Sequence, residues 1–237
     1  MSMYPDQSRP VELEYGTDDK AVFNFFNAVY AWMAVGLAVT AAVAWYVSQN
    51  MAVMKVLYGR GVYLAVLLGT VALAYSVRSA ARRVSATVAT ALFLLYSAVI
   101  GAMISGIFII YPMATIGAAF VITGGVFGGM SVYGFVTKRD LTSMGSFLIM
   151  CVWGLFLATI VNIFVASDAF SWIITYAVLA VFIGLTAYDT QMLRNIALET
   201  AGDANLAARY AIIGSLELYL DFINIFLSIL RILGSRR

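Results

Sequence analysis

The chain of 237 residues is 63% hydrophobic and 11% charged, with a formal net charge of +2 and a mean hydropathy of +0.94. A soluble domain of this size has too little interior to hide so much apolar surface, which excludes the soluble classes. The small, scattered charge leaves no footprint for nucleic acid, and the absence of histidine removes histidine-based nucleophilic catalysis, zinc sites and haem ligation.

Residues 1–20 carry Asp6, Glu12, Glu14, Asp18 and Asp19 with two prolines, and read as an acidic solvated tail rather than a cleaved signal. Crossing the hydrocarbon layer takes about 20 apolar residues as a helix. Seven apolar runs of that order follow, at 22–47, 61–77, 87–111, 115–136, 144–166, 171–190 and 211–233. None alternates apolar and polar residues as outer-membrane strands do. The expected fold is therefore all-α, a polytopic seven-transmembrane-helix bundle over residues 21–237. The first span doubles as an uncleaved insertion signal.

The second run is the shortest. The third and fourth are joined by a turn at Pro112, and no charge interrupts the chain between Arg83 and Lys138. Small residues four apart, Ser97, Gly101 and Ser105 in the third run and Gly124, Gly125, Gly128 and Gly129 in the fourth, suit close helix approach. Intramolecular packing of these faces is the reading adopted over homodimerisation, so a monomer is expected. Cys151, the single cysteine, falls inside the fifth run and reads as a small apolar side chain.

Cytoplasmic flanks carry the excess of Lys and Arg. Nine of these residues (Arg9, Lys20, Arg78, Arg82, Arg83, Lys138, Arg139, Arg194, Arg209) fall on one side and five (Lys55, Arg60, Arg231, Arg236, Arg237) on the other. This places the amino terminus in the cytoplasm and, after seven spans, the carboxyl terminus outside. The absence of retrieval signals points to a bacterial inner membrane.

The last run holds the informative charges. In GSLELYLDFINIFLSILR, Gly214, Glu217, Asp221, Asn224, Ser228 and Arg231 recur at spacings of 3, 4, 3, 4 and 3, one stripe of a helix. A carboxylate within a membrane costs about 2.5 to 3.5 kcal/mol on insertion scales, so the stripe must face the bundle interior or a watery cavity. That makes the last helix central. Asp189, in GLTAYDTQ near the end of the sixth run, lies in the inner half of the membrane. Asp221, ten residues beyond Ala211, lies about 15 Å deep from the same side. Arg78 closes the second run on that side, so two carboxylates and a guanidinium share one layer and Arg231 stands apart near the outer end.

Four strings, VYAWMAVGLAVTAAVAWY (29–46), VYGFVTKRDLTSMG (132–145), GLTAYDTQ (184–191) and LYLDFINIFLSILRILG (218–234), together resemble the Bax inhibitor family of seven-helix membrane proteins, bacterial type. The resemblance covers nearly the whole chain after the acidic tail. It implies a pH-sensitive calcium leak channel, with Asp189 and Asp221 as a proton-sharing pair that also attracts calcium and Arg78 as the arginine near the end of the second helix. Bacterial members can carry a glutamate eleven residues before that arginine, pairing with the arginine of the last helix. Leu67 occupies that position here, which leaves Arg231 without this partner.

The chemistry of the pair also follows from the residues. Two carboxyls in hydrogen-bond reach within a low-dielectric layer cannot easily both ionise, so they titrate as a unit. Calcium, seeking six to eight oxygens, competes with the proton, and Thr186, Thr190 and Asn224 could supplement the site, with Glu217, Ser228 and Arg231 as further lining candidates. Calcium is expected as a transported or bound ion and no cofactor is expected. Three alternatives stay open. Asp189 could merely anchor its helix beside Arg194. The chain could instead be a membrane-embedded regulator of a quality-control protease or a cell-death or stress-response pathway, acting by protein contact through the acidic tail. An intramembrane aspartyl protease is disfavoured, because Leu218, Tyr219 and Leu220 stand where Gly-x-Gly should precede the second aspartate. No enzymatic activity is therefore expected.

Overall fold

Long apolar runs leave the backbone no partner in lipid except itself, so each run closes its hydrogen bonds as a helix. The computed structural model describes residues 11–235. Asp6, Arg9, Arg236 and Arg237 lie outside the described residues, as do the side chains of Glu12, Glu14 and Asp18 in the expected tail. The elements in chain order are α1 (Val11–Ser48), α2 (Met51–Leu57), α3 (Arg60–Arg83), α4 (Ala86–Ile104), α5 (Ile107–Ile110), α6 (Met113–Val136), α7 (Thr142–Val165), α8 (Asp168–Glu199) and α9 (Ala204–Gly234). Among the described residues seven stretches are long and apolar enough to span a membrane, and each overlaps one of the seven predicted runs.

Three of the spanning helices are started by short polar residues. Ser85 caps α4 by accepting from the Val88 amide, Ser167 caps α8 by accepting from Phe170, and the Asp203 carboxylate accepts from the Asn205 and Leu206 amides at the start of α9. Asp140 sits just ahead of α7 and is held ionised below the usual carboxylate range by hydrogen bonds from the Thr142 side chain and backbone. Four boundaries differ most from the predicted runs. The first helix reaches back to Val11, the second continues through Arg83, the sixth runs through Glu199 and the last begins at Ala204, because polar ends can project beyond the apolar layer without ending a helix.

The third run is broken at Ser105–Gly106 into α4 and α5. Its cause is a side chain from elsewhere. The Tyr58 hydroxyl donates to the Met103 carbonyl at 2.7 Å and accepts from the Gly106 amide at 2.8 Å, so it inserts into the helical ladder.

The last helix is the axis of the bundle. In its most apolar stretch 78% of residues are buried, against 6% in α7. It packs against α1, α3, α4, α6 and α8, whereas the main contact of α7 is with α8. Tyr219, fully buried on α9, sits 2.7 Å from the Thr40 hydroxyl, which in turn lies 2.9 Å from the Ser97 carbonyl. One polar chain thus ties α1, α4 and α9. Phe93 and Tyr96 meet the Tyr219 ring edge-on, at 5.6 and 6.0 Å.

The two small-residue faces behave differently. Ser97, Gly101 and Ser105 are buried, and a Cβ on Gly101 would come within 2.5 Å of the Thr40 carbonyl oxygen, so α1 and α4 touch backbone to backbone there. Gly124, Gly125, Gly128 and Gly129 face open space, contrary to the intramolecular packing expected of them. Helix α6 buries another face, through Thr115, Ala119, Thr123, Phe127, Ser131 and Gly134. On that face Gly134 is the close-approach residue, since a Cβ would run into the Ala187 backbone of α8. Accordingly Gly134→Val should destabilise the detergent-solubilised protein by about 1 to 3 kcal/mol or prevent its folding. Gly128→Val should melt within a degree or so of wild type. Equal melting of the two variants would contradict this packing.

Candidate functional site

Helices α8 and α9 run side by side, and their polar residues meet one turn at a time. A leucine on α8, Leu193, packs against Gly214 of α9, where a larger residue would strike it, and this contact sets the register. Deeper in the bundle, the carboxyls of Asp189 and Asp221 come within hydrogen-bonding reach of each other. Two carboxyls can share a hydrogen bond only when one carries a proton. Asp221 is 2% exposed and also lies beside the Thr186 hydroxyl, while Asp189 is partly buried.

Glu217, one turn before Asp221, puts a third carboxylate near the pair. Its Oε1 accepts from Arg78 Nη2 of α3 at 3.3 Å, with the Glu217 side chain 12% exposed and that of Arg78 46% exposed. The arginine expected to face the aspartate pair therefore bonds first to a residue that was only a supporting candidate. The spacing of four along one helix face was the signal available for Glu217. Its partner could not be read from spacing, because it comes from α3.

These groups border a cavity of about 650 Å³ between α3 and α4 on one side and α7 and α8 on the other, with α9 as its floor. Arg78, Asp189, Glu217, Asp221 and Asn224 supply its polar lining; the rest is largely apolar and includes Leu67, Trp153, Phe156, Phe182 and Leu227. Two carboxylate oxygens in this lining, Glu217 Oε2 and Asp221 Oδ2, are buried with no hydrogen-bond partner among the described residues. Such orphans are rare in folded proteins and call for a proton, a water or a cation. The Asn224 amide nitrogen donates to the Leu220 carbonyl at 2.8 Å, which leaves its oxygen free.

Other predicted site residues are elsewhere. Thr190 is fully buried, donates to the Thr186 carbonyl at 2.7 Å and lies beside the Tyr30 hydroxyl of α1, away from the cavity. Ser228 is buried and donates to the Asn224 carbonyl at 2.8 Å. Arg231 is not among the cavity-lining residues. It donates to the hydroxyls of Ser171 (2.7 Å) and Thr175 (2.9 Å) on α8, and its guanidinium sits 5.1 Å from the centre of the Trp172 ring. Aromatic stacking and hydroxyls thus hold a cation that lacks a carboxylate where Leu67 stands. Arg194, the residue through which Asp189 could have anchored its helix, lies over the Phe135 ring at 5.6 Å instead.

Among the described residues no three acidic side chains converge tightly enough to form a ready-made metal cage. A divalent cation at this site would take two aspartates and complete its shell with the Thr186 hydroxyl, the Asn224 oxygen and water.

Residues 22–237 match the model of a protein family described as Inhibitor of apoptosis-promoting Bax1. The chain belongs to the Bax inhibitor family. It is 48% identical to the inner membrane protein YbhL of Escherichia coli strain K12 over 216 residues, which is 90% of this chain and 92% of YbhL. It is 46% identical to a protein of Deinococcus radiodurans over 216 residues (91% and 92%), and 42% identical to one of Borreliella burgdorferi over 214 residues (90% and 92%). The match begins within α1 at residue 22, so the acidic stretch before it stands outside the family-wide region.

In this family member, one guanidinium stands against three carboxylates, so its loss should be felt most when they are ionised. Arg78→Ala should lower the melting temperature at pH 8, by the equivalent of about 1 to 3 kcal/mol, since Arg78 is half exposed and its pair is only partly desolvated. The loss should shrink at pH 5, and Glu217→Gln in the same background should restore part of it. An equal loss at both pH values would mean that the arginine does not act through these carboxylates.

Proposed function

We propose that this protein is a pH-sensitive calcium leak channel of the bacterial inner membrane, gated at the Asp189–Asp221 pair. The observation that carries the reading is the charge imbalance of the cavity: three carboxylates against one guanidinium, with two carboxylate oxygens buried and unpartnered. If all three ionise, two negative charges remain uncompensated in a low-dielectric setting, which is a state of high cost. Two protons or one calcium ion would balance them. Protons and calcium then compete for the same oxygens, and pH becomes a control on cation entry.

The cavity supports a leak rather than a water-filled pore. Beyond the polar layer its walls are apolar, with Leu67, Ile100 and Leu227 where a second charged constriction would stand. Arg231 is engaged by α8 and offers no charge to that wall. An apolar constriction resists ions by remaining dry, so passage would require the helices to part. The inner-membrane location rests on the likeness to the Escherichia coli inner membrane protein YbhL and on the seven spans. A cytoplasmic amino terminus rests on the nine-to-five division of Lys and Arg. Calcium is the cargo, and the protein's own part is to hold it and to exchange it for protons.

The reading is tested with purified protein in liposomes containing a trapped calcium dye. Flux should depend on pH between about 5 and 8, and Asp189→Asn and Asp221→Asn should each flatten that dependence, because each removes one half of the titrating unit. Superimposable curves for wild type and both variants would refute it. Arg78→Ala should move the flux midpoint toward higher pH, since losing a nearby positive charge makes ionisation harder, while Arg231→Ala should leave it in place.

Calcium affinity of the solubilised protein should weaken as pH falls and disappear in Asp189→Asn with little change in melting temperature. A variant that loses thermal stability yet binds calcium normally would assign Asp189 to anchoring alone.

A further inference from the structure

A second polar cleft lies at the end of the bundle where α6 and α8 finish and α7 begins. It encloses about 580 Å³ and is lined by Phe135, Lys138, Arg139, Asp140, Gln191 and Arg194 among others. Three of those are cations, and each is exposed. Among the described residues none of the three is in an ion pair; the recorded pair is Arg78–Glu217 at the other site. Asp140, the cleft's carboxylate, is already engaged, since its Oδ1 accepts from the Thr142 amide at 2.9 Å in the turn that leads into α7. Its charge is spent on the helix terminus rather than on its basic neighbours.

The cleft is built, not merely charged. Gln191 of α8 uses both ends of its amide on the loop between α6 and α7: Oε1 accepts from the Leu141 amide at 2.9 Å and Nε2 donates to the Arg139 carbonyl at 2.8 Å. This clamp fixes the backbone from which Lys138 and Arg139 extend, facing Arg194 across the opening. Phe135 forms a wall, with Arg194 over its face and Phe26 of α1 against its edge at 5.3 Å. Val132 and Val136 beside it are each 63% exposed on the outside of the bundle, where acyl chains run.

We propose that this cleft binds the phosphate of an anionic phospholipid headgroup in the leaflet at that end. Three cations against one carboxylate that is already hydrogen-bonded, flanked by lipid-exposed apolar residues, match a phosphodiester joined to acyl chains better than a free anion. A free phosphate would gain nothing from Val132 and Val136. The assignment does not depend on calcium transport. Through Gln191 the cleft is two residues from Asp189 on the same helix, so a bound lipid would brace the end of α8 that carries the aspartate.

The test uses the full chain in detergent and native mass spectrometry, with phosphatidylglycerol as probe and phosphatidylcholine as the zwitterionic control. Wild type should retain phosphatidylglycerol preferentially. The combined variant Lys138→Gln, Arg139→Gln and Arg194→Gln should weaken that retention about tenfold or more, given roughly 1 kcal/mol per basic residue near the surface. A control with Lys20→Gln, Arg83→Gln and Arg209→Gln removes the same charge from the same end and should retain the lipid as wild type does. Both variants must elute as monodisperse protein.

Equal weakening in the two variants would reduce the effect to net charge and overturn the site. Displacement of the lipid by an equal concentration of inorganic phosphate would overturn the lipid assignment. No preference for phosphatidylglycerol in the wild-type chain, as would follow if the acidic residues of its own amino-terminal stretch filled the cleft, overturns the proposal as well.

Discussion

Everything in this bundle is arranged around the difficulty of keeping carboxylates inside a membrane. Asp221 and Glu217 belong to a helix with apolar residues on every other face, and Asp221 is almost wholly withdrawn from solvent. A helix with such a stripe cannot face lipid, so it must be surrounded. The result is α9 at the centre, ringed by α1, α3, α4, α6 and α8. Two neighbouring helices bring polar groups to that stripe: α3 reaches Glu217 with Arg78, and α8 brings Asp189 within hydrogen-bonding reach of Asp221.

The scaffold holding this arrangement is uneven. On one side, α1, α4, α6 and α8 approach closely through Gly101 and Gly134, and the Tyr219–Thr40–Ser97 chain of hydroxyls and carbonyl links three helices in the core. Close backbone approach and satisfied polar groups resist displacement. The opposite wall is α7, which rests mainly on α8 and exposes Phe147, Trp153, Leu157 and Phe164. The cavity lies between this lightly held helix and α3. Its polar floor is thus held by close helix contacts and its outer walls are the spanning helices with fewest contacts to break, a division that suits the opening which the proposed leak would require.

The arginines on these helices show three ways of accommodating a cation beside or within lipid. Arg78 reaches a carboxylate while remaining half exposed. Arg231 has none, and is held by two hydroxyls and an indole face. Arg194 lies over a phenylalanine at the edge of an open basic cleft. Their depth explains the differences. A guanidinium near the membrane surface can stay wet, whereas one enclosed between helices must recover its lost hydration from neighbouring dipoles and aromatic faces.

The sequence by itself determined the number of spans, their approximate limits, the central role of the last helix and the shared layer of Asp189, Asp221 and Arg78. Each of these depends on length, hydropathy or helical period along one segment, and those quantities are local. Tertiary structure decided what depends on two segments at once. Spacing along α9 put Glu217 on the polar stripe, but only the approach of α3 gave it Arg78; spacing put Thr190 near the pair, but the rotation of α8 turned it toward Tyr30. The spacing of Gly124, Gly125, Gly128 and Gly129 suggested a packed face on α6, but α8 packs against Gly134 instead and leaves those four open. The break between α4 and α5 was invisible for the same reason, because it is made by a hydroxyl from Tyr58, some 45 residues away in the chain. Periodicity specifies which residues share a face, but the direction a face points is set by the neighbour that fills it.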